Sequence, residues 1–148
     1  ELSDGRSDFA SSFGVGAVLG TKFTWPKDNP STKEVNLLTK EHEVEWKKWF
    51  QLYDQKMLSK ETYLGSLYDI GYDLPEAHVI QKGDTLHYSF YNKDWSGPIE
   101  LRGLSKKKYQ VRDYVRNVDL GVVEGPEATL QATFTHSLLL EVFPLDAN

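Results

Sequence analysis

Alternation of apolar and polar positions dominates the second half of the chain. In "TLHYSFY", Leu86, Tyr88 and Phe90 fall on one side of an extended backbone and His87, Ser89 and Tyr91 on the other. "KYQVRDYV" places Tyr109, Val111, Asp113 and Val115 on one face, "ATLQATF" does the same for Leu130, Ala132 and Phe134, and "HSLLLEVF" for Leu138, Leu140 and Val142. "PIELRGL" follows the turn-like "NKDWSG". Turn residues at Gly83-Asp84, Ser96-Gly97, Ser105–Lys108, Asn117–Asp119, Gly125-Pro126 and His136 separate these runs. Their spacing of about 8–12 residues is the mark of an antiparallel sandwich or barrel. A sandwich is predicted from Thr62 to Pro144, with Leu86, Tyr88, Phe90, Val111, Leu130, Phe134, Leu138 and Leu140 inside.

The period changes upstream. Trp46, Trp49, Phe50, Tyr53 and Met57 recur at helical spacing, with Glu45, Lys47, Lys48, Gln51, Asp54 and Gln55 between them. A helix over Lys40–Leu58 follows, capped by Thr39 with Glu41, Glu43 and Glu45 near its positive end. Ser31 with Glu34 three residues on offers another start. Two tryptophans on one stripe need a large partner surface. Before the helix, "GVGAVLGTKFTWP" reads as a strand over Gly14–Pro26, apolar enough to be covered on both faces as in parallel sheets and barrels. A helix followed by all-β sequence within one chain gives an α+β protein or two domains.

Composition narrows the functional classes. The 148 residues suffice for a real core, and the net charge of −5 with an isoelectric point of about 5.4 argues against general nucleic-acid binding. No apolar run approaches the roughly 20 residues of a membrane helix. The absence of cysteine removes disulfides and thiolate metal sites but leaves the compartment open between cytoplasm, periplasm and exterior. The sequence starts at Glu1 and its only Met is Met57, which predicts first residues that belong to a larger domain.

Three groups carry candidate chemistry. In "ELSDGRSDF", Glu1, Asp4 and Asp8 lie in a Gly/Ser-rich loop beside a strand, where carboxylates bind sugar hydroxyls or act as acid and base. The same residues also serve turns and caps. In "LYDIGYDLPEAHVI", Asp69, Asp73, Glu76 and His78 surround Pro75. Glu76 and His78 share a strand face, but two ligands make no metal site; the structural alternative is a strand-entry turn in which Asp73 satisfies nearby N–H groups. Trp95, Tyr91 and Trp25 are aromatics that stack on sugars or fill a sandwich core. Nucleophile-elbow, phosphate-loop, dinucleotide and kinase signatures are absent.

Several long segments, in order, carry a resemblance: "DFASSFGVGAVLGTKFTWP", "LLTKEHEVEWKKWFQLYDQKMLSKETYLGSLYDIGYDLPEAHVIQKGDTLHYSFYN", "GPIELRGL", "YQVRDYV", "LGVVEGPEATL" and "FTHSLLLEVFP". Together they resemble the C-terminal end of bacterial α-galactosidases of the melibiase type, glycoside hydrolase family 36 and its close relatives. The resemblance implies an α+β fragment: residues 1–60 as the end of a catalytic (β/α)8 barrel and residues 61–148 as an antiparallel β-sandwich. On it, "ELSD" is similar to the end of the seventh barrel strand, "GAVLGTKFTWP" to the eighth strand, and the helix of Trp46 and Trp49 to the eighth helix. "LYDIGYDLPEAHVI" resembles the passage from barrel to sandwich, with Tyr68, Tyr72 and Pro75 packing the junction.

The implied activity is retaining hydrolysis by two carboxylates about 5–5.5 Å apart. In the family these are aspartates on earlier barrel strands, and no position here matches their motifs, so no catalytic residue is expected in this chain. Because such barrels form their sites at the C-terminal strand ends, Glu1, Asp4, Asp8 and Trp25 are the candidates for substrate contact. The implied partners are an α-linked galactoside or related oligosaccharide and the missing N-terminal part of the parent; no cofactor, metal, nucleic acid or membrane is expected. The alternative is a non-catalytic β-sandwich module that binds carbohydrate or supports a neighbouring domain.

Overall fold

The computed structural model describes residues 2–3, 10–16, 19–20 and 40–145. These fall into two compact units, Glu1–Lys60 and Glu61–Asn148.

In the first unit, strands β1 (Leu2–Ser3) and β2 (Leu19–Gly20) pair in parallel, Leu2 opposite Leu19 and Ser3 opposite Gly20. Helix α1 (Ala10–Phe13) is a single turn, closed by the Gly14 N–H donating to the Ala10 carbonyl at 3.2 Å. Within the strand expected over Gly14–Pro26, Leu19–Gly20 is extended but the first three residues are not. Gly14–Gly16 form a turn, with Gly16 at φ 77° and its N–H bonded to the Phe13 carbonyl. Glycine alone adopts that φ at no steric cost, so the chain turns here where an extended strand is expected. Positions 21–26, with Ser31, Glu34 and Thr39, lie outside the described residues.

Helix α2 (Lys40–Lys56) starts where its periodicity predicts. It ends before Leu58, because Met57 turns left-handed at φ 51° and a 3-10 turn, Leu58–Lys60, follows. Trp49 is 5% exposed, its ring 5.6 Å from that of Phe13, and its indole N–H donates to Glu45 one turn back at 2.7 Å. That bond lets a polar tip enter the buried stripe without an unmatched donor.

The second unit is one antiparallel sheet in the order β3-β4-β5-β8-β6-β7. Its strands are β3 (Thr62–Tyr63), β4 (Glu76–Lys82), β5 (Thr85–Leu101), β6 (Lys108–Asp113), β7 (Val118–Glu124) and β8 (Ala128–Pro144). β4 and β5 join through Gly83-Asp84, with Gly83 at φ 60°, the position of the first residue of a type II′ turn, which matches the twist of the flanking strands. At the β6–β7 turn the buried Asp113 carboxylate accepts the N–H groups of Val115 and Arg116, both at 3.0 Å.

Here the sandwich expectation is refined. "TLHYSFY" and "PIELRGL" are not two strands parted by a turn, and neither are "ATLQATF" and "HSLLLEVF". They form β5 and β8, two 17-residue strands paired along their whole length. What resembled a turn is a register shift: Asn92 faces His136 and Asp94 faces Thr135, so Lys93 is an extra residue on β5. A bulge of one residue reverses which parity faces the core. Before it Leu86, Tyr88 and Phe90 are buried; after it Ile99 and Leu101 are. On β8, His136 takes φ 69° opposite the bulge, and Phe134, Leu138, Leu140 and Val142 keep their parity.

Both halves of the long pair meet in one core with Ala77, Val79, Tyr109 and Val111, the Tyr88 and Phe90 rings lying parallel at 6.1 Å. Of the eight residues expected inside, seven are buried and Leu130 is partly so, packed against the same cluster. Val115 lies past the end of β6 and is only half-buried.

Candidate functional site

Glu1, Asp4, Asp8 and Trp25 lie outside the described residues. The acidic stretch after Tyr68 is fully described, and its carboxylates divide into two clusters.

The first is built on Arg102, at the end of β5. Its guanidinium grips Asp73 with two bonds, Nη1 to Oδ2 and Nη2 to Oδ1, both 3.0 Å. A third Nη proton goes to the Leu67 carbonyl at 2.8 Å. Nε donates to Glu100 Oε2 at 2.9 Å, and Nη2 meets the same oxygen at 2.7 Å. All five donors of the guanidinium are engaged. The group also lies 4.8 Å above the Tyr68 ring, where the negative face of the ring attracts it. The Tyr68 hydroxyl donates to the Glu100 carbonyl and accepts the Arg102 N–H at 3.0 Å, and the Tyr88 hydroxyl donates to the Arg102 carbonyl. Gly103 follows at φ 88°; a Cβ there would come within 2.6 Å of Leu67, so only glycine lets the chain turn beside the clamped loop.

The electrostatics match this packing. Hydrogen bonds from Arg102 and from the Asp69 N–H hold the Asp73 carboxyl below its usual range, and Asp73 and Glu100 push the Arg102 pKa up. Burial pushes the Tyr68 phenol up to about 12, so it remains a donor. Asp73 also caps its own turn, accepting the Asp69 N–H at 2.6 Å. An ionised carboxylate with this many donors has no proton to give and little basicity to offer. The structural alternative therefore holds for Asp73: it fastens the Leu67–Pro75 loop to β5. Tyr68 and Pro75 are buried within the sheet unit, whereas Tyr72 is 88% exposed. It sits in a turn closed by its own N–H on the Asp69 carbonyl, which points the intervening side chain outward.

The second cluster is a row of three groups across β3 and β4. Tyr63 Oη lies 2.6 Å from His78 Nδ1, and His78 Nε2 lies 2.9 Å from Glu76 Oε2. Glu76 and His78 do share a strand face, and Tyr63 is the third member, contributed by the two-residue strand β3 that pairs with Ile80 and Gln81. Among the described residues no three His, Asp or Glu side chains gather as metal ligands.

Beside Arg102 the sheet carries a cavity of about 290 Å³. Leu74, Pro75, Trp95 and Pro98 form its apolar wall, and Asp73, Glu100 and Thr129 its polar rim. Of the aromatics singled out from sequence, Trp95 lines this cavity, and Tyr91 packs edge-on against His78 at 5.9 Å. Arg102 and Glu100 were not singled out, although "ELR" puts the two charges two residues apart in a strand, hence on one face.

Comparison with known proteins places this architecture. No family model matches the chain. The chain is 30% identical over 142 residues to the A type blood α-D-galactosamine galactosaminidase of Flavonifractor plautii, an alignment that takes in 90% of the chain. It spans only 12% of that protein's length. Among solved structures it superposes on a Bacillus halodurans protein proposed to be an α-N-acetylgalactosaminidase, with a TM-score of 0.58 over 96% of this chain and 31% of that one. Identity there is 9%, so the match shows a shared fold. A β-L-arabinopyranosidase of glycoside hydrolase family 27 from Geobacillus stearothermophilus matches over 47% of this chain and 17% of its own, at 17% identity and a TM-score of 0.39. The likeness is thus to galactosidase-type glycosidases in general; it does not single out glycoside hydrolase family 36.

Proposed function

We propose that this chain is the C-terminal portion of a galactosidase-like retaining glycoside hydrolase that acts on an α-linked galactoside or galactosaminide. The reading is carried by the 30% identity to a galactosaminidase along 90% of the chain. The shared fold and the parallel pairing of β1 with β2 support it. On this reading residues 1–60 close a (β/α)8 barrel, residues 61–148 form the sheet domain that follows it in the chain, and the catalytic aspartates stand on barrel strands upstream. Glu1, Asp4, Asp8 and Trp25 then lie at the strand ends that face the sugar. The clamped Asp73 is consistent with chemistry located elsewhere in the parent.

The test is an assay of residues 1–148 and of the parent-length protein on chromogenic α-galactoside and α-N-acetylgalactosaminide. Turnover by the parent and none above background by 1–148 is expected, since retaining hydrolysis requires two carboxylates in fixed register. Turnover by 1–148 that vanishes in Asp4→Ala or Asp8→Ala would move catalysis into the N-terminal loop. An inactive parent would favour the supporting or carbohydrate-binding module.

A further inference from the structure

The cavity beside Arg102 has a chemistry that restricts what enters it. Leu74, 73% exposed, lines it together with Pro75, Trp95 and Pro98, the apolar part of its wall. Its polar lining includes a carboxylate and a hydroxyl, Glu100 and Thr129, which face each other across β5 and β8. An apolar wall faced by a few polar groups is the general form of a small-ligand site. At about 290 Å³ the space lies at the low end of such sites, on the order of 300 Å³, and suits a single ring rather than a chain of them.

The charges select further. Arg102 contributes no free donor, because all five of its N–H groups are spent on Asp73, Glu100 and the Leu67 carbonyl. Asp73, Glu100 and Arg102 together leave one net negative charge at the rim. An anion would meet that charge with only the Thr129 hydroxyl as a donor. On Glu100 the bonds from Arg102 fall on Oε2, leaving Oε1 to accept from a ligand, and the side chain is 60% exposed. A hydroxyl donor fits such a lone acceptor, with the Thr129 hydroxyl beside it able to give or accept.

We propose that this cavity is a carbohydrate-binding site for one neutral pyranose ring, its C–H face against Leu74, Pro98 and Trp95 and its hydroxyls on Glu100 and Thr129. The inference stands apart from the hydrolase reading, since the sheet unit binds the ring whether or not a parent chain cleaves one.

Titration of isotope-labelled 1–148 with methyl α-D-galactopyranoside, followed by amide NMR, tests it. Saturable shifts are expected at residues 73–75, 95–100 and 129, with a dissociation constant on the order of 1 mM for so small a ligand. Glu100→Gln keeps the size of the side chain but replaces a charged acceptor by a neutral one, and weakens binding about fivefold. Leu74→Ala weakens it too, and being exposed leaves the rest of the spectrum in place. Galacturonate at equal concentration gives about a tenth of the occupancy or less. Absence of shifts at this site, a response confined to residues 1–60, equal occupancy by galacturonate, far tighter binding of cationic galactosamine, or full affinity in both variants would each overturn the proposal. Loss of hydrolysis in the parent would not bear on it, and a sugar-bound 1–148 would not rescue an inactive parent.

Discussion

The Arg102 clamp and the Tyr63–His78–Glu76 row use similar ingredients to different ends. In the clamp, segments about thirty residues apart in sequence are joined through a planar cation with every donor used, set on a buried tyrosine. In the row, Glu76 and His78 come from one strand and Tyr63 from its short neighbour, with Tyr63 and Glu76 both open to solvent. A carboxylate near a base is thus no guide to function on its own. What matters is how many donors already hold it and how much chain it ties together.

The contrast breaks most sharply at Tyr68, the floor of the clamp. Its ring is buried edge-on against Phe90 at 6.4 Å. Tyr68→Ala is expected to cost about 3–5 kcal/mol in denaturant melts. Tyr68→Phe keeps the ring, gives up two hydrogen bonds and costs about 1–2 kcal/mol. An alanine variant no worse than the phenylalanine one would mean that the ring packs loosely and the clamp is not anchored in the core.

A smaller effect belongs to Asp73, and its sign depends on pH. Folding lowers the pKa of this carboxyl, chiefly through the Arg102 hydrogen bonds, so its stabilising effect is fully present above the ordinary carboxylate range. It fades as pH falls through the lower, folded-state value. Asp73→Asn should therefore melt earlier than the parent sequence at neutral pH, and the two melting temperatures should converge in acid. A gap that stays constant down to strongly acidic pH would show that loop geometry, not charge, is what Asp73 supplies.

The smallest effect is expected at the row. His78→Gln exchanges one partly exposed polar link for another and should change stability by less than about 1 kcal/mol. A larger loss would make the row a second clamp, holding β3 to the sheet.

Much of this could be read from the sequence, and the exceptions share a cause. Hydrophobic periodicity is a local signal, so period 2 placed Leu86, Tyr88, Phe90, Val111, Phe134 and Leu140 inside and helical spacing placed the Trp49 stripe on a helix. Pro75 and Asp73 likewise read as a strand-entry turn because turn chemistry is local. The misread features depend on pairing across the chain. "NKDWSG" carries every mark of a turn, yet Thr133 and Ala132 hold Ser96 and Gly97 in a strand. Arg102 drew no notice because its meaning lies in Asp73 and Leu67, far away in sequence. The proposal of Glu1, Asp4, Asp8 and Trp25 as substrate contacts rests on family resemblance, which no local pattern replaces.

The extra Lys93 also limits how this sheet can change in length. Downstream of it, Trp95, Ile99 and Leu101 are read in the opposite phase to Leu86, Tyr88 and Phe90. Removing that single residue would restore an unbroken ladder with Trp95, Ile99 and Leu101 still on the core face, while removing two would turn the whole second half of β5 inside out, as a frameshift does to a message. Relatives of this sheet should therefore either keep the extra residue or lose it alone near position 93, and should balance any second loss with one on the facing strand near His136.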